Sequence, residues 1–599
     1  MAAVRLGAAR LRAAEASIWQ AAISTACSMQ TEANKIATKP FPAEEYHARR
    51  SALANILPPN SLVLVAANTL RYASHDIPYR FRQNSNLAYL APLPEPDGLF
   101  ILRTDAARRV IHTALGVLRK DPHRELWDGH RIGPDAAPAL MHVDQAVVAE
   151  LPVLLETVAP HLTDCSGIYV HMGDATPTAC AGLLTQLRSQ CPNQPIQEVA
   201  PYLARLRSVK SPREIVHLAA AGRASALAMN QTFARLAELS SEWEVDASLE
   251  FAYRRLGCQG HAYPPVVAAG EHALTLHYVT NDAPLRAGDL LLVDAGAERA
   301  GYNADITRTV PISGRFSDAQ AELYDAVLRV QTRCLELLMW GEARNLMQLH
   351  QQSARMVVEE GKRLGLLSSR ATASDARSLM PHSIGHHLGL DVHDPGSPVE
   401  PLSPNSVVTV EPGIYVPNSD AFPKAYRGIG IRIEDNVVIG GATEGLQDLT
   451  KNCYKVPTPI AEFAAQIGLD NFRISLGSIV AAVYAAGYLA MEPVAGSIAS
   501  ICLLYGSNCA LNYATTEPNA MIKLGALHAS CWAMQFFGHF VFEGRAPALF
   551  DNLFQSLYLA PLFVLLEIMF MFGYRPDLSK SIYDNAERDI KNWKASKSK

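Results

Sequence analysis

The 599-residue chain contains no C-x-x-C pair, and its ten cysteines stand singly. That argues against a zinc ribbon or a disulfide framework and fits reduced, intracellular thiols. An excess of positive charge is also missing. Lys and Arg number 53 against 58 Asp and Glu, a formal net charge of −5, so no nucleic-acid partner is expected. Acids are nearly absent from the first thirty residues: Glu15 is the only one before Glu32, whereas Arg5, Arg10 and Arg12 punctuate an Ala- and Ser-rich run. Such a segment, with no long apolar core, reads as a mitochondrial transit segment over residues 1–40 rather than a secretory signal. Charge of either sign is scarce again near the other end. Ile474–Met491 and Val494–Asn512 carry none, Leu524–Phe542 is apolar with His528, Gln535 and His539, and Ser556–Gly573 has Glu567 as its one charged residue. Each is close to the roughly 20 residues that cross a bilayer. A helical membrane region, with membrane association through 474–573, is therefore expected. The basic tail from Arg575 to Lys599 places both flanks of four spans on the cytosolic or matrix side.

What is present divides into domains. The length implies two to four of them. From Phe41 to Leu206 strand-like runs such as Ser61–Ala66 and Gly98–Leu102 alternate with helical ones, the pattern of an α/β domain over 41–206. Ser211-Pro212-Arg213-Glu214 combines a capping serine, a first-turn proline and a third-position glutamate, predicting a helix to about Leu239 that opens a second domain, 207–467. Ser317-Asp-Ala-Gln320 repeats the signal before a helix reaching about Met339. The remainder, 468–599, is the membrane-like region.

The chemistry concentrates in the second domain. Asp294 ends the apolar run Leu290–Val293, and Asp305 precedes the β-rich run Ile306–Val310, with Gly296 and Gly301 between, as a hairpin requires. Carboxylates meeting there repel unless a cation or proton lies between them; two solvated loop aspartates are the plainer alternative. Downstream, His382, His386, His387 and His393 fall within twelve residues, with Gly385 and Gly389 favouring strand and loop over helix. Val407–Val410 leads into Glu411, and Gly428–Asp435 reads as one strand with Arg432 and Glu434 on the same face. Four carboxylates and one imidazole make an oxygen-rich set suited to two neighbouring divalent ions. Two carboxylates must then bridge. Such a pair binds water, lowers its pKa and clamps a tetrahedral intermediate.

The order Asp294, Asp305, His386, Glu411, Glu434 resembles the ligand set of the pita-bread metallopeptidases. Within them the chain is most similar to the Xaa-Pro aminopeptidase (aminopeptidase P) branch, over about 41–465. The motifs are Leu276-His277-Tyr278, Asp-Ala-Gly-x-x-x-x-Gly-Tyr, Asp-Ile-Thr-Arg-Thr, Gly-Leu-Asp-Val-His-Asp, Val-Glu-Pro-Gly and Arg-Gly-Ile-Gly-Ile-Arg-Ile-Glu-Asp. Phe81-Arg82-Gln83-Asn84-Ser85 belongs to the resemblance too, and the Ile-x-Tyr-x-Phe-Arg-Gln-Asn-Ser motif from Ile77 to Ser85, with the N-terminal segment, looks most like the mitochondrial members. The resemblance implies an α/β N-terminal domain, an α+β pita-bread catalytic domain, a homo-oligomer, and two divalent metal ions, Mn2+ foremost. It implies that Asp294 holds the first metal, His386 and Glu411 the second, and that Asp305 and Glu434 bridge both. Glu411 would also be the general base, His277 and His393 would meet the scissile carbonyl, His382 would shape the substrate site, and Arg432 would support the ligand shell. The implied reaction releases the first residue of peptides, preferentially Xaa-Pro, by attack of a hydroxide bridging the metals. Alternatives are trimming of imported mitochondrial proteins by one residue and a silent peptide-binding module. His272 departs from the small polar residue common in the family.

Residues 474–590 resemble a second family, the iron-dependent 2-hydroxy fatty acid dioxygenases of the endoplasmic-reticulum membrane. The similarity runs through Trp532–Leu549, Asp551–Ser556 and Ala560-Pro561. It implies Fe2+ at His539 and His528, although the family's first histidine cluster is missing. An active dioxygenase, a membrane anchor and a fusion of unrelated sequences stay open. The second resemblance makes the endoplasmic reticulum, with the peptidase facing the cytosol, the alternative to the mitochondrion.

Overall fold

Runs of branched apolar residues with no polar interruption, such as Leu62–Ala66 and Leu290–Val293, belong in strands covered on both faces. In the computed structural model both runs are buried strands. The structure describes residues 41–173, 176–440 and 445–455, and near the C-terminus 566, 569–570 and 574–597. The chain divides into two compact units, 1–457 and 458–599. The transit-like segment and, apart from Leu566, Met569 and Phe570, the four apolar segments lie outside the described residues, as do His528 and His539. Among the described residues no helix is long and apolar enough to cross a membrane. In the second unit the basic tail forms the helix Pro576–Lys597.

The first unit begins with a six-stranded sheet of order β4-β3-β2-β1-β5-β6. Its strands are β1 Ser61–Ala66, β2 Leu99–Thr104, β3 Val110–Val117, β4 Gln145–Val148, β5 Gly167–His171 and β6 Ile196–Glu198. The β1/β2 and β2/β3 pairs are antiparallel; β1/β5, β3/β4 and β5/β6 are parallel. Helices on both faces bury apolar cores, one centred on Leu53, Val63, Val65 and Phe100, the other on Leu64, Ile101, Leu154 and Leu183.

Beyond Arg207 the architecture becomes two helix-backed β layers. The helix Pro212–Ala234 starts with the expected capping box, Ser211 and Glu214 satisfying each other's backbone; it stops five residues short of Leu239, where a 3-10 turn, Leu236–Glu238, intervenes. With the helix Glu242–Arg255 it packs on β8 Val266–Ala269 and β9 Leu290–Asp294. The helix Asp318–Met339 also opens with its capping box. It and the helix Leu346–Arg363 share a core with β13 Val407–Val410, β14 Gly413–Tyr415, β15 Gly430–Arg432 and β16 Asp435–Val438.

The link between Asp294 and Asp305 is a hairpin inside a hairpin. Strand β9 pairs antiparallel with β12 Thr307–Pro311, Asp294 opposite Thr307. Between them β10 Ala297–Arg299 and β11 Tyr302–Asn303 form a tight inner turn whose two central residues, Ala300 and Gly301, both have positive φ, at 52° and 82°; β7 Gly260–His261 pairs along β10. The last short strand, β17 Gln447–Asp448, closes β16. Gly296 makes the construction feasible. A Cβ there would sit 1.7 Å from the Ala304 carbonyl oxygen and 2.4 Å from its carbon, so the two backbones would have to part. Gly296→Ala is expected to cost about 3 kcal/mol or more, the upper end of overpacking, and to abolish activity; a denaturant midpoint equal to wild type would contradict this.

One local expectation changes. The continuous strand Gly428–Asp435 is broken at Ile433-Glu434, where the chain passes from β15 to β16. The break is held by Glu434 N–H donating to Thr307 O at 3.0 Å and by the fully buried Arg308–Asp435 ion pair at 2.7 Å.

Candidate metal centre

The candidate donors stand at or just beyond strand ends, or on a loop paired to a strand, where a side chain is free of the pleat and can turn toward the seam between the two β layers. Asp294 closes β9, Asp305 precedes β12, Glu411 follows β13, Glu434 fills the β15–β16 break, and His386 sits on the loop hydrogen-bonded to β13 through Thr409. The expected residues are brought together. Donor atoms of Asp305, His386 and Glu434 all lie within 4.8 Å of one another. Glu411 Oε1 is 3.6 Å from His386 Nε2, and Asp305 Oδ2 is 3.4 Å from it. The Tyr263 hydroxyl donates to Asp294 Oδ1 at 2.6 Å and Asp305 Oδ1 at 2.5 Å, so one phenol proton is shared between two carboxylates.

The supporting hydrogen bonds prepare these groups to coordinate. His386 Nδ1 donates to the His387 carbonyl at 2.9 Å, which leaves Nε2 as the lone-pair nitrogen facing the carboxylates. Thr307 Oγ1 donates to Glu434 Oε2 at 2.6 Å, and Thr409 Oγ1 to Glu411 Oε1 at 3.2 Å. Buried Arg432 uses all three nitrogens: Asp294 Oδ2 at 2.5 Å, the Tyr415 hydroxyl at 2.7 Å and Thr307 Oγ1 at 3.0 Å. Tyr415 passes the chain on to His382 Nε2 at 3.0 Å, and His382 Nδ1 donates to Ser383 O at 2.8 Å. Both ring nitrogens of His382 are thus engaged by protein. His393 stands edge-on to His386, ring centroids 4.4 Å apart. His277 and His393 are exposed, and His277 lies near enough for its charge to act on both His393 and His382.

Electrostatics show how crowded the carboxylates are. Burial, then the charges of Asp305, Glu411 and Asp294, push the Glu434 carboxyl well above its usual range. Burial raises Glu411 to about 7 against the pull of His386, with Asp305 adding to the rise. Burial raises Asp294 to about 6 although Arg432 opposes it. Asp305 goes the other way: burial works against its charge, but His386 and Tyr263 hold it below the ordinary value. Burial also disfavours charged His386, yet Asp305 and Glu411 lift it to about 9. Burial and the Arg432 charge lower His382 to about 4. Four buried carboxylates against one arginine and one imidazole form a set that only added positive charge can ionise together. Divalent cations supply that charge, and the oxygen-rich donors with one nitrogen fit them.

Comparison with known proteins agrees with this geometry. Residues 216–440 match the model of metallopeptidase family M24, and residues 46–165 that of the aminopeptidase P N-terminal domain. Intermediate cleaving peptidase 55 of Saccharomyces cerevisiae is 36% identical over 417 residues, 67% of this chain and 80% of that protein. Xaa-Pro aminopeptidase 3 of Mus musculus is 40% identical over 393 residues, 63% of this chain and 76% of its own.

The chain belongs to metallopeptidase family M24.

It is a metal-dependent aminopeptidase, a hydrolase with the aminopeptidase P N-terminal domain and the pita-bread catalytic domain. Among solved structures, Icp55 from Saccharomyces cerevisiae superposes with a TM-score of 0.63 at 34% identity, covering 69% of this M24 chain and 95% of the other. Zn-substituted aminopeptidase P of E. coli with product bound gives 0.62 at 31% identity, covering 73% and 100%. Residues 475–572 match a 2-hydroxy-palmitic acid dioxygenase Mpo1-like model, the second resemblance in the sequence.

Sequence reasoning missed the residues that organise the M24 site without belonging to the ligand pattern. Tyr263 lies on a loop far from any motif, and only the fold brings it to Asp294 and Asp305. Asn436 accepts from Asp305 N–H at 3.0 Å. Thr307 and Thr409 were visible inside the Asp-Ile-Thr-Arg-Thr and Val-Val-Thr-Val-Glu strings, and a hydroxyl two residues from a carboxylate on a strand is the signal that could have found them.

Proposed function

We propose that Asp294, Asp305, His386, Glu411 and Glu434 hold two divalent cations, Mn2+ in the native enzyme, for release of the first residue from Xaa-Pro peptides. The convergence of Asp305, His386 and Glu434 on one point, with Glu411 and Asp294 adjoining, carries the reading. Bound there, the cations would supply Lewis acidity and a nucleophilic water at neutral pH. The side chains do the rest. Glu411, steadied by Thr409, takes the proton of the attacking water and returns it to the leaving amine. His277 and His393, both exposed, donate to the scissile carbonyl as negative charge develops on it. Arg432 keeps Asp294 ionised, and through Tyr415 it sets His382 at the wall of the substrate site. The expected result is faster release from an Xaa-Pro-Xaa peptide than from its Xaa-Ala-Xaa counterpart; equal rates would overturn the proline preference.

Relatives in Saccharomyces cerevisiae, Schizosaccharomyces pombe and Arabidopsis thaliana are named intermediate cleaving peptidase 55, the last as mitochondrial. They support a mitochondrial location and, as a second reading, substrates that are N-termini of imported proteins. The match over 475–572, together with four apolar segments, supports membrane attachment of the C-terminal unit. Release of the full chain by alkaline carbonate would contradict it.

Metal loading should depend on pH with a definite sign. Glu434, Glu411 and Asp294 are raised, to about 7 and about 6 for the latter two, and His386 is raised to about 9. Coordination needs all of them unprotonated, so binding releases protons and weakens as pH falls through 9 to 6. With at least one proton released per ion, apparent affinity should fall by about a hundredfold or more from pH 8 to 6. Isothermal titration in two buffers of different ionisation enthalpy would measure the release, and an unchanged affinity would refute it.

A further inference from the structure

Phe81–Ser85 has no part in the metal centre, yet its side chains reach the loop that follows His386 and carries His393. That loop, 387–394, has only isolated bridges from His387 to Asp394 and Val408 as regular pairing. The His393 side chain is exposed. Asp391 and Asp394 flank it in the chain, one on each side, and all four of their carboxylate oxygens are occupied. Ser85 Oγ donates to Asp391 Oδ1 at 2.6 Å. A single Arg207 nitrogen donates to both Asp391 Oδ2 and Asp394 Oδ1 at 2.6 Å. Lys210 Nζ donates to Asp394 Oδ2 at 3.2 Å, and the Asp391 N–H closes the loop on Asp394 Oδ1 at 3.1 Å. Arg82 donates to the Leu390 carbonyl and pairs with Asp391 at 3.5 Å. Arg207 also donates to Asn86 Oδ1 at 2.7 Å. Arg207, Lys210 and Asp394 are buried, so the clamp is shielded from the screening that weakens surface pairs.

We infer that Ser85, Arg207 and Lys210 are positioning residues: they fix Asp391 and Asp394, and through them hold His393 over the metal centre. Ser85 comes from the N-terminal domain and Arg207 and Lys210 from the start of the second, so the clamp ties the N-terminal domain to the catalytic loop within one chain. The part given to His393 rests on the proposed function; the clamp itself does not. A misplacement of about 1 Å at a group that meets the reacting atoms costs up to about a hundredfold in rate. A loosened clamp should therefore lower kcat more than it raises KM.

The test is a double-mutant cycle on the full-length, metal-loaded chain with an Xaa-Pro-Xaa peptide. Ser85→Ala is expected to lower kcat about tenfold or more, with KM, metal content and melting temperature close to wild type. In a His393→Ala background the same substitution should have no further effect on kcat, because the positioned group is gone. Arg207→Lys should recover part of the rate lost in Arg207→Met. Hydrogen exchange of a peptide covering 387–394 supplies a readout independent of turnover: it should speed up in Ser85→Ala while the strands over 290–311 stay unchanged. The inference is overturned if exchange of 387–394 does not change, or if Ser85→Ala lowers kcat equally with and without His393. If instead exchange responds as expected but wild type releases no residue, the clamp stands and the functional reading falls.

Discussion

Replacing Glu434 with glutamine is expected to raise the melting temperature of the EDTA-treated protein while abolishing peptide release. Glu434 is buried beside Asp305, Glu411 and Asp294, and its carboxyl is pushed well above the ordinary range by burial and then by those charges. A carboxyl whose folded pKa exceeds its unfolded value of about 4.3 destabilises the fold as pH rises above that unfolded value, and the loss levels off only above the folded pKa. Glutamine keeps the shape and its carbonyl can still accept from Thr307, but it carries no charge. The gain should therefore vanish below about pH 4 and be clear at pH 7 and above, amounting to about 2–4 °C for each kcal/mol relieved. With metal present the order reverses. Wild type should gain the binding free energy, whereas the variant would lack one of the carboxylates proposed to hold the ions. Its kcat/KM should fall by more than about a hundredfold, the range reached by loss of even an outer partner. Melting curves with EDTA and with Mn2+ check both halves, and a variant less stable than wild type in EDTA would refute the electrostatic account.

Arg432→Met should act in the opposite sense without metal and in the same sense with it. The guanidinium is buried and spends its nitrogens on Asp294, Tyr415 and Thr307. Removing it leaves Asp294 a buried carboxylate without its ion pair, a change that costs about 3–5 kcal/mol. It also raises Asp294 beyond its present value of about 6, so the metal must displace a proton more firmly held. Loss of stability and loss of metal affinity are expected together, with the affinity loss larger at pH 6 than at pH 8. Arg432→Lys should recover little, because one ammonium cannot replace a planar group that serves three differently placed acceptors. Denaturant midpoints and metal titrations at both pH values would show this; a fully metallated, stable Arg432→Met protein would contradict it.

The fold was most legible where local chemistry and packing agree. Both capping boxes, at Ser211 and Ser317, form as expected because their hydrogen bonds lie within four consecutive residues. The apolar run Leu290–Val293 could only be an inside strand. The five candidate ligands could be read because their order follows a family pattern, and the structure brings all five to one seam. Legibility ended where a residue acts through tertiary contact. Tyr263 bridges two aspartates from 31 and 42 positions away. Asp391 and Asp394 stood inside the Gly-Leu-Asp-Val-His-Asp motif with no role assigned to them, although they join the histidine loop to Ser85 and Arg207. The break at Glu434 was hidden because period-two alternation continues through it; only the backbone bond to Thr307 shows that the strand stops there.

The central claim, that five side chains from two β layers form a dinuclear metal site which drives aminopeptidase chemistry, is tested most directly by titrating Mn2+ into the EDTA-treated chain while following first-residue release and bound metal together. Two ions should bind per wild-type chain with activity rising from zero as the site fills, and Asp305→Ala should retain neither full metal nor activity. Undiminished peptide release in EDTA, or from Asp305→Ala, would contradict the account.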